Sequence, residues 1–300
     1  MPRAGNLGGG GFMLVHLAET DEQIFIDYRE TAPAAATRDM FLKADGAVDK
    51  AKAYFSRQAA GVPGTVAGLI HAQTQYGKLP LATVIQPAID LAEQGFDTPL
   101  ALHMSLTSRA DRLAMDPEAN RIYLQGTANA PAPGVLFKQP DLAHTLQRIR
   151  DKGHDGFYGG ETAALIAADM AANDGLITTD DLANYRPLER TPVRGTFKGF
   201  EIVSVAPPSS GGIHVVQMLN LLEPYPLKSY GHNSAAYLHR LIESMKLAYA
   251  DRSRYLGDPD QTAVPTEALI SKDYANERRQ LIATNRANSA ETVGPGNPVP

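Results

Sequence analysis

The sequence predicts a helix-rich α/β (α+β) fold, and three observations carry that expectation. Two short apolar runs, residues 13–15 and 24–26, flank the polar turn material Glu19-Thr20-Asp21-Glu22 and read as a strand pair. Residues 61–106 and 142–170 repeat apolar positions at helical spacing between glycine and proline stops. Residues 197–205 alternate around Lys198-Gly199 as one or two further short strands. At 300 residues, 43% hydrophobic and 20% charged, the chain can bury a substantial core.

Taken in order, the chain opens on four consecutive glycines, Gly8-Gly9-Gly10-Gly11, which mark backbone that needs either positive φ or close approach. Beyond Pro33 the character turns helical. Gly61-Val62-Pro63-Gly64-Thr65 introduces a helix carrying Val66, Leu69 and Ile70, and Gly77 stops it. The next carries Val84, Ile85, Ala88 and Leu91 before Gly95, with Pro87 either kinking it or sitting in its first turn. Thr98-Pro99 starts another, with Leu102 and Leu106 on one side. Residues 115–140, rich in Pro, Ala, Gly and Asn, read as an irregular excursion. Periodicity resumes at Leu142, Leu146 and Ile149, then at Leu165, Ile166 and Met170. The strongest helix follows Asn233-Ser234. Leu238, Leu241, Ile242, Met245, Tyr249, Arg252 and Leu256 recur along it, with Arg240, Glu243, Lys246 and Arg254 elsewhere on its surface. Gly257-Asp258-Pro259 ends it, and the last dozen residues read as extended and flexible.

Composition removes several function classes. A net charge of −5 leaves no basic footprint for nucleic acid. No apolar run approaches the roughly 18 residues of a membrane span. The absence of cysteine excludes disulfides, thiolate catalysis and zinc–sulfur sites in this chain. No His-Glu-x-x-His pair occurs, so no metal or cofactor is called for.

The glycine run lacks the strand before it and helix after it of a dinucleotide site, and no lysine adjoins it as in a P-loop; a close structural crossing is the better reading. Ser209 and Ser210, within Pro207-Pro208-Ser209-Ser210-Gly211-Gly212, do not match a nucleophile elbow. A helix cap by Ser210 is the simpler expectation, with Ile213, Val216 and Leu219 on the helix that follows. Asp251 and Arg252 are candidates for an ion pair, buried or solvated. Arg29 stands out because a guanidinium at the end of a buried strand can hold a carboxylate through two parallel hydrogen bonds. The local alternative is an ion pair with Asp27 or Glu30.

Ala4 through Phe12, followed by Asp27-Tyr28-Arg29-Glu30-Thr31-Ala32-Pro33, resembles the γ-glutamyltransferase family closely. So do residues 61–68, 86–92, Gly175-Leu176-Ile177-Thr178-Thr179-Asp180-Asp181-Leu182, Glu189-Arg190-Thr191-Pro192, residues 207–214, and Tyr249 through Pro259. The matches run in order from about residue 4 to residue 270. The resemblance implies an N-terminal-nucleophile hydrolase, a four-layer αββα sandwich made as one precursor that cleaves itself into a large and a small chain. It also implies that glutathione is the substrate and that the γ-glutamyl group passes to water or to an amino acid through a threonyl acyl-enzyme. Arg29 matches the large-chain arginine that grips the substrate α-carboxylate, and Ser209, Ser210 and Gly211 are expected to support the site or the cleavage region.

On that resemblance the 300 residues are a single partial domain, the large-chain portion, with 286–300 a flexible tail leading towards the self-cleavage site. The nucleophilic threonine is expected beyond Pro300, in a small chain from the same precursor; Thr284 and Thr292 are not substitutes. The chain alone is therefore expected to be inactive and, with apolar faces left without partners, poorly soluble. Family analogy places the enzyme in the periplasm or outside the cell. A cephalosporin acylase, a poly-γ-glutamate transpeptidase and a non-catalytic scaffold are the alternatives; Arg29, as a carboxylate grip, argues against the acylase.

Overall fold

The computed structural model describes residues 6–298, so Ala4 and Gly5 of the opening motif and the last two residues of the tail lie outside the described residues. The chain forms an α/β fold in two compact units. The first comprises residues up to Gly11 with Asp27–Leu188, the second Phe12–Ile26 with the residues from Glu189 on.

The expected strand pair, most of whose residues belong to the second unit, is present and longer than the apolar runs alone indicate. Strand β1 (Gly11–Leu17) and β2 (Glu22–Tyr28) join through a four-residue turn in which Thr20 N donates to Leu17 O (3.2 Å). So short a connection allows only an antiparallel pair. β2 is the middle strand of a sheet ordered β1-β2-β5, where β5 is Leu188–Arg190. Ile24, Phe25, Ile26 and Asp27 are buried in succession, which means both faces of β2 are covered. Phe25 packs with Val193, Ile213, Val216, Leu269 and Tyr274, and its ring lies 5.7 Å from that of Phe12.

The first unit is mostly helical. In sequence order its two short strands are β3 (Phe96–Asp97) and β4 (Leu136–Phe137), which pair antiparallel. Helix Thr65–Tyr76 stops at Gly77, whose N–H bonds Gln73 O (3.0 Å), as the sequence indicates. Helix Leu81–Gln94 stops at Gly95, in the left-handed region at φ 86°. Pro87 lies inside it, past the first turn. Helix Pro140–Lys152 packs against it, and Val66, Ile89, Leu146, Phe157, Tyr158 and Leu182 share the core between the helices. Residues 115–140 are more regular than expected. Helix Pro117–Tyr123 starts there because the Asp116 carboxylate accepts from Ala119 N (2.8 Å) and Pro117 occupies its first turn.

Strands β6 (Val193–Phe197) and β7 (Phe200–Ser204), in the second unit, form a hairpin with Phe197 opposite Phe200. Lys198 (φ 49°) and Gly199 (φ 87°) both take the left-handed conformation that matches the strand twist. Helix Ala235–Tyr255 begins where Ser234 Oγ accepts from Tyr237 N (3.1 Å). Its buried face differs from the apolar stripe read in the sequence. Ile242 is 48% and Tyr249 54% exposed, whereas Glu243, assigned to the surface, is 1% exposed and Ser244, Leu247, Ala248 and Asp251 are buried with it. The polar face goes inward because partners satisfy it there: Lys246 on the same helix and Asn288 from later in the chain bond Glu243 (both 2.7 Å).

Candidate functional site

Arg29 follows directly on β2, in the first unit, and its side chain is exposed. Its backbone is fixed from two sides. The Arg29 N–H donates to the buried Asp27 carboxylate (Oδ1, 3.1 Å), and its carbonyl accepts from the Tyr185 hydroxyl (2.8 Å). Tyr185 stacks on Tyr158 with centroids 5.7 Å apart and planes 9° from parallel. The Tyr158 hydroxyl donates to Pro63 O (2.7 Å) and accepts from Ala67 N (3.1 Å), binding the start of helix Thr65–Tyr76 to the same stack. Burial pushes the Tyr158 hydroxyl up to about 12; burial, with the Tyr158, Asp27 and Glu30 charges, raises that of Tyr185 as well. Both phenols therefore stay protonated donors across the neutral range.

The glycine run serves close approach rather than positive φ. Gly9 O accepts from Gly64 N (2.8 Å) and Thr65 N (3.0 Å). A Cβ on Gly10 would sit 2.6 Å from Tyr28 O, and one on Gly64 would overlap the Tyr28 carbonyl oxygen and the Tyr185 hydroxyl. Two glycine segments thus close on the strand end that carries Arg29.

Ser209, Ser210 and Gly211 belong to the second unit. Helix Gly211–Leu222 does begin after Ser210, but the expected cap is not made by that side chain. Ser210 Oγ accepts instead from Arg252 Nε (3.2 Å), while Ser209 Oγ accepts from Gly211 N (3.2 Å). Ser210 has αR backbone (φ −77°, ψ −14°) rather than the extended conformation that aims a cap side chain at the helix, and Arg252 takes up its oxygen. His214, one turn on, is buried, its ring 5.0 Å from that of Tyr249. Burial and the Arg252 guanidinium push its imidazole down, which keeps it neutral. Asp251 is buried and its ion partner is Arg278 (3.3 Å), not Arg252.

Among the described residues no cluster of three or more His, Asp or Glu side chains is placed to hold a metal. A hollow of about 440 Å³ in the first unit, lined by Arg121, Gln125, Leu136, Lys138 and Asp141, contains none of the candidate site residues. Tyr158 and Tyr185 carry no sequence signal that would have picked them out, because their partners are far away in the chain.

The chain matches the family described as Gamma-glutamyltranspeptidase over residues 1–298. It is 44% identical over 299 residues to the glutathione hydrolase proenzyme of Escherichia coli (strain K12), with 100% of this chain and 51% of that protein covered. It is 41% identical over 287 residues to the Acylase ACY 1 proenzyme of Pseudomonas sp. (strain SE83), covering 94% of this chain and 51% of that protein. The crystal structure of Helicobacter pylori gamma-glutamyltranspeptidase superposes with a TM-score of 0.96 at 40% identity, covering 98% of this chain and 84% of that one. The chain thus spans about half the length of the curated relatives it matches.

Proposed function

The chain belongs to the gamma-glutamyltranspeptidase family, and from that membership we propose that it is the large-chain portion of an enzyme acting on the γ-glutamyl amide of glutathione. In this reading Arg29 binds the α-carboxylate of the γ-glutamyl group. The observation that carries it is the placement of Arg29 at the end of β2, its N–H held by Asp27 and its carbonyl by Tyr185. A guanidinium on a fixed backbone position gives a carboxylate two parallel donors without a large ordering cost.

The chemical step belongs to the small chain of the same precursor, whose amino-terminal threonine supplies the nucleophile. Its hydroxyl attacks the γ-carbonyl, its own amino group takes the proton, and the amide nitrogen leaves with a proton as cysteinylglycine. Water or an amino acid then attacks the resulting ester and regenerates the hydroxyl. This chain alone carries no step of that sequence and is inactive without its partner. Ser209, Ser210 and Gly211 keep the supporting role that the family resemblance gives them, and Arg252 Nε donates to the Ser210 hydroxyl.

The test is Arg29→Ala and Arg29→Lys in the complete, two-chain enzyme. Losing a charge-assisted carboxylate contact costs about 1.5–3 kcal/mol, so KM for γ-glutamyl substrates rises by about 10–150-fold while kcat changes less. An unchanged KM removes Arg29 from the site. A second reading, an acylase, draws support from the 41% identity to the Acylase ACY 1 proenzyme, close to the 44% for the hydrolase. Turnover of an acyl amide without an α-carboxylate at least as fast as glutathione would favour it.

A further inference from the structure

Helix Ala235–Tyr255 turns the buried Glu243 and Asp251 toward the chain that follows helix Lys272–Arg279. Two grips are visible. At the first, Glu243 accepts from Asn288 Nδ2 (2.7 Å) and Lys246 Nζ donates to Asn288 O (2.7 Å). At the second, Asp251 Oδ1 accepts from Gly296 N (2.8 Å), the Tyr255 hydroxyl donates to Gly296 O (2.7 Å), and Arg278 Nη2 donates to Gly294 O (2.8 Å). Asp251 is itself held by Gln217, whose Nε2 donates to Oδ2 (2.5 Å), and by the Arg278 guanidinium (3.3 Å). Asp251 is 1% and Arg278 5% exposed. Gly296 fits so closely that a Cβ there would overlap the Tyr274 hydroxyl and lie 2.7 Å from Arg278 Cδ.

A buried ion pair is a weak way to gain stability, because apolar residues of similar size often do as well or better. Here both members of the pair spend hydrogen bonds on the backbone at Gly294 and Gly296, in a segment with no regular secondary structure. That arrangement fixes a place for the chain. We propose that Asp251, Arg278 and Tyr255 are positioning residues that clamp Gly294–Gly296 and thereby deliver the segment beyond it for self-cleavage of the precursor. The proposal rests on the large-chain reading given above. It adds the device that sets where the outgoing chain starts.

The experiment uses the complete precursor and follows its conversion to two chains, its melting, and the kcat and KM of the cleaved enzyme. Three variants are compared: Gly296→Ala, the apolar pair Asp251→Leu with Arg278→Met, and Asp251→Asn, which keeps an acceptor for the Gly296 N–H. Misplacing a reacting segment by about 1 Å costs on the order of 10²-fold, so Gly296→Ala and the apolar pair slow conversion at least about tenfold. Their melting transition is retained, the cleaved fraction turns over normally, and Asp251→Asn recovers most of the rate. Conversion at the wild-type rate in both Gly296→Ala and the apolar pair overturns the clamp. So does slowing that merely tracks a lost melting transition, since that is what a purely structural role would give. If the wild-type precursor itself never converts, the large-chain reading falls and the clamp with it.

Discussion

Replacing Tyr185 by phenylalanine removes one oxygen and leaves the ring stack on Tyr158 in place, which isolates a single contact to the candidate site. The lost hydroxyl donates to Arg29 O at 2.8 Å from a residue that is 4% exposed. A net hydrogen bond is worth about 1 kcal/mol, and stranding a partly buried carbonyl raises the cost towards about 2 kcal/mol. For a unit of this size that lowers the melting midpoint by about 2–8 °C. Because burial raises the hydroxyl's pKa, the difference between the wild type and Tyr185→Phe should be constant through neutral pH. In the two-chain enzyme the loosened backbone at Arg29 should also raise KM for a γ-glutamyl substrate about 3–10-fold. The rise should vanish in an Arg29→Ala background, where there is no guanidinium left to misplace, so a double-mutant cycle reads the coupling directly. Thermal melting and steady-state kinetics are the assays. Unchanged melting together with an additive cycle would refute the claim that Tyr185 holds Arg29 in place.

Three further outcomes follow from the same geometry. Gly64→Ala forces a methyl group into the Tyr28 carbonyl and the Tyr185 hydroxyl, so the first unit should lose more stability than with Tyr185→Phe, measured by urea denaturation. Phe25→Ala empties a fully buried position and should cost the second unit about 3–5 kcal/mol, read from the same denaturation curves. Glu243 gives a pH signature: burial raises its carboxyl, but the bonds from Lys246 and Asn288 together outweigh burial and hold it below its ordinary value of 4.5. A carboxyl depressed in the folded state contributes stability above its unfolded pKa, and that stability is lost as pH falls through the folded value. Melting should thus drop on acidification below about pH 4.5, and Glu243→Gln should flatten that limb.

What the sequence made legible was local. The β1–β2 pair, the Lys198-Gly199 hairpin, the stops at Gly77 and Gly95 and the cap at Ser234 each depend on neighbours within a turn or two. Asp116-Pro117 is an equally local helix-start signal, masked by the irregular composition around it. The orientation of helix Ala235–Tyr255 was not local. Its apolar stripe pointed one way, while Glu243 and Asp251 turn inward to partners 45 positions further along the chain. Arg29 shows the same divide. Spacing alone left it paired with Asp27 or Glu30, and the family resemblance assigned it a carboxylate. The Asp27 carboxylate accepts from the Arg29 N–H, a bond within two positions, whereas Tyr185, which holds the carbonyl, is 156 positions away. The capping role expected of Ser210 failed for a related reason, since Arg252, 42 positions on, donates to its oxygen.

The central proposal is that this chain is the carboxylate-gripping half of a self-cleaving γ-glutamyl enzyme. The most direct test expresses the polypeptide encoded by the whole gene, then follows its intact mass and its release of glutamate from glutathione. The account predicts one precursor mass giving way to two chain masses, with glutathione turnover appearing in step with the split. Glutathione turnover by the uncleaved polypeptide, or complete cleavage with no γ-glutamyl turnover, would contradict it.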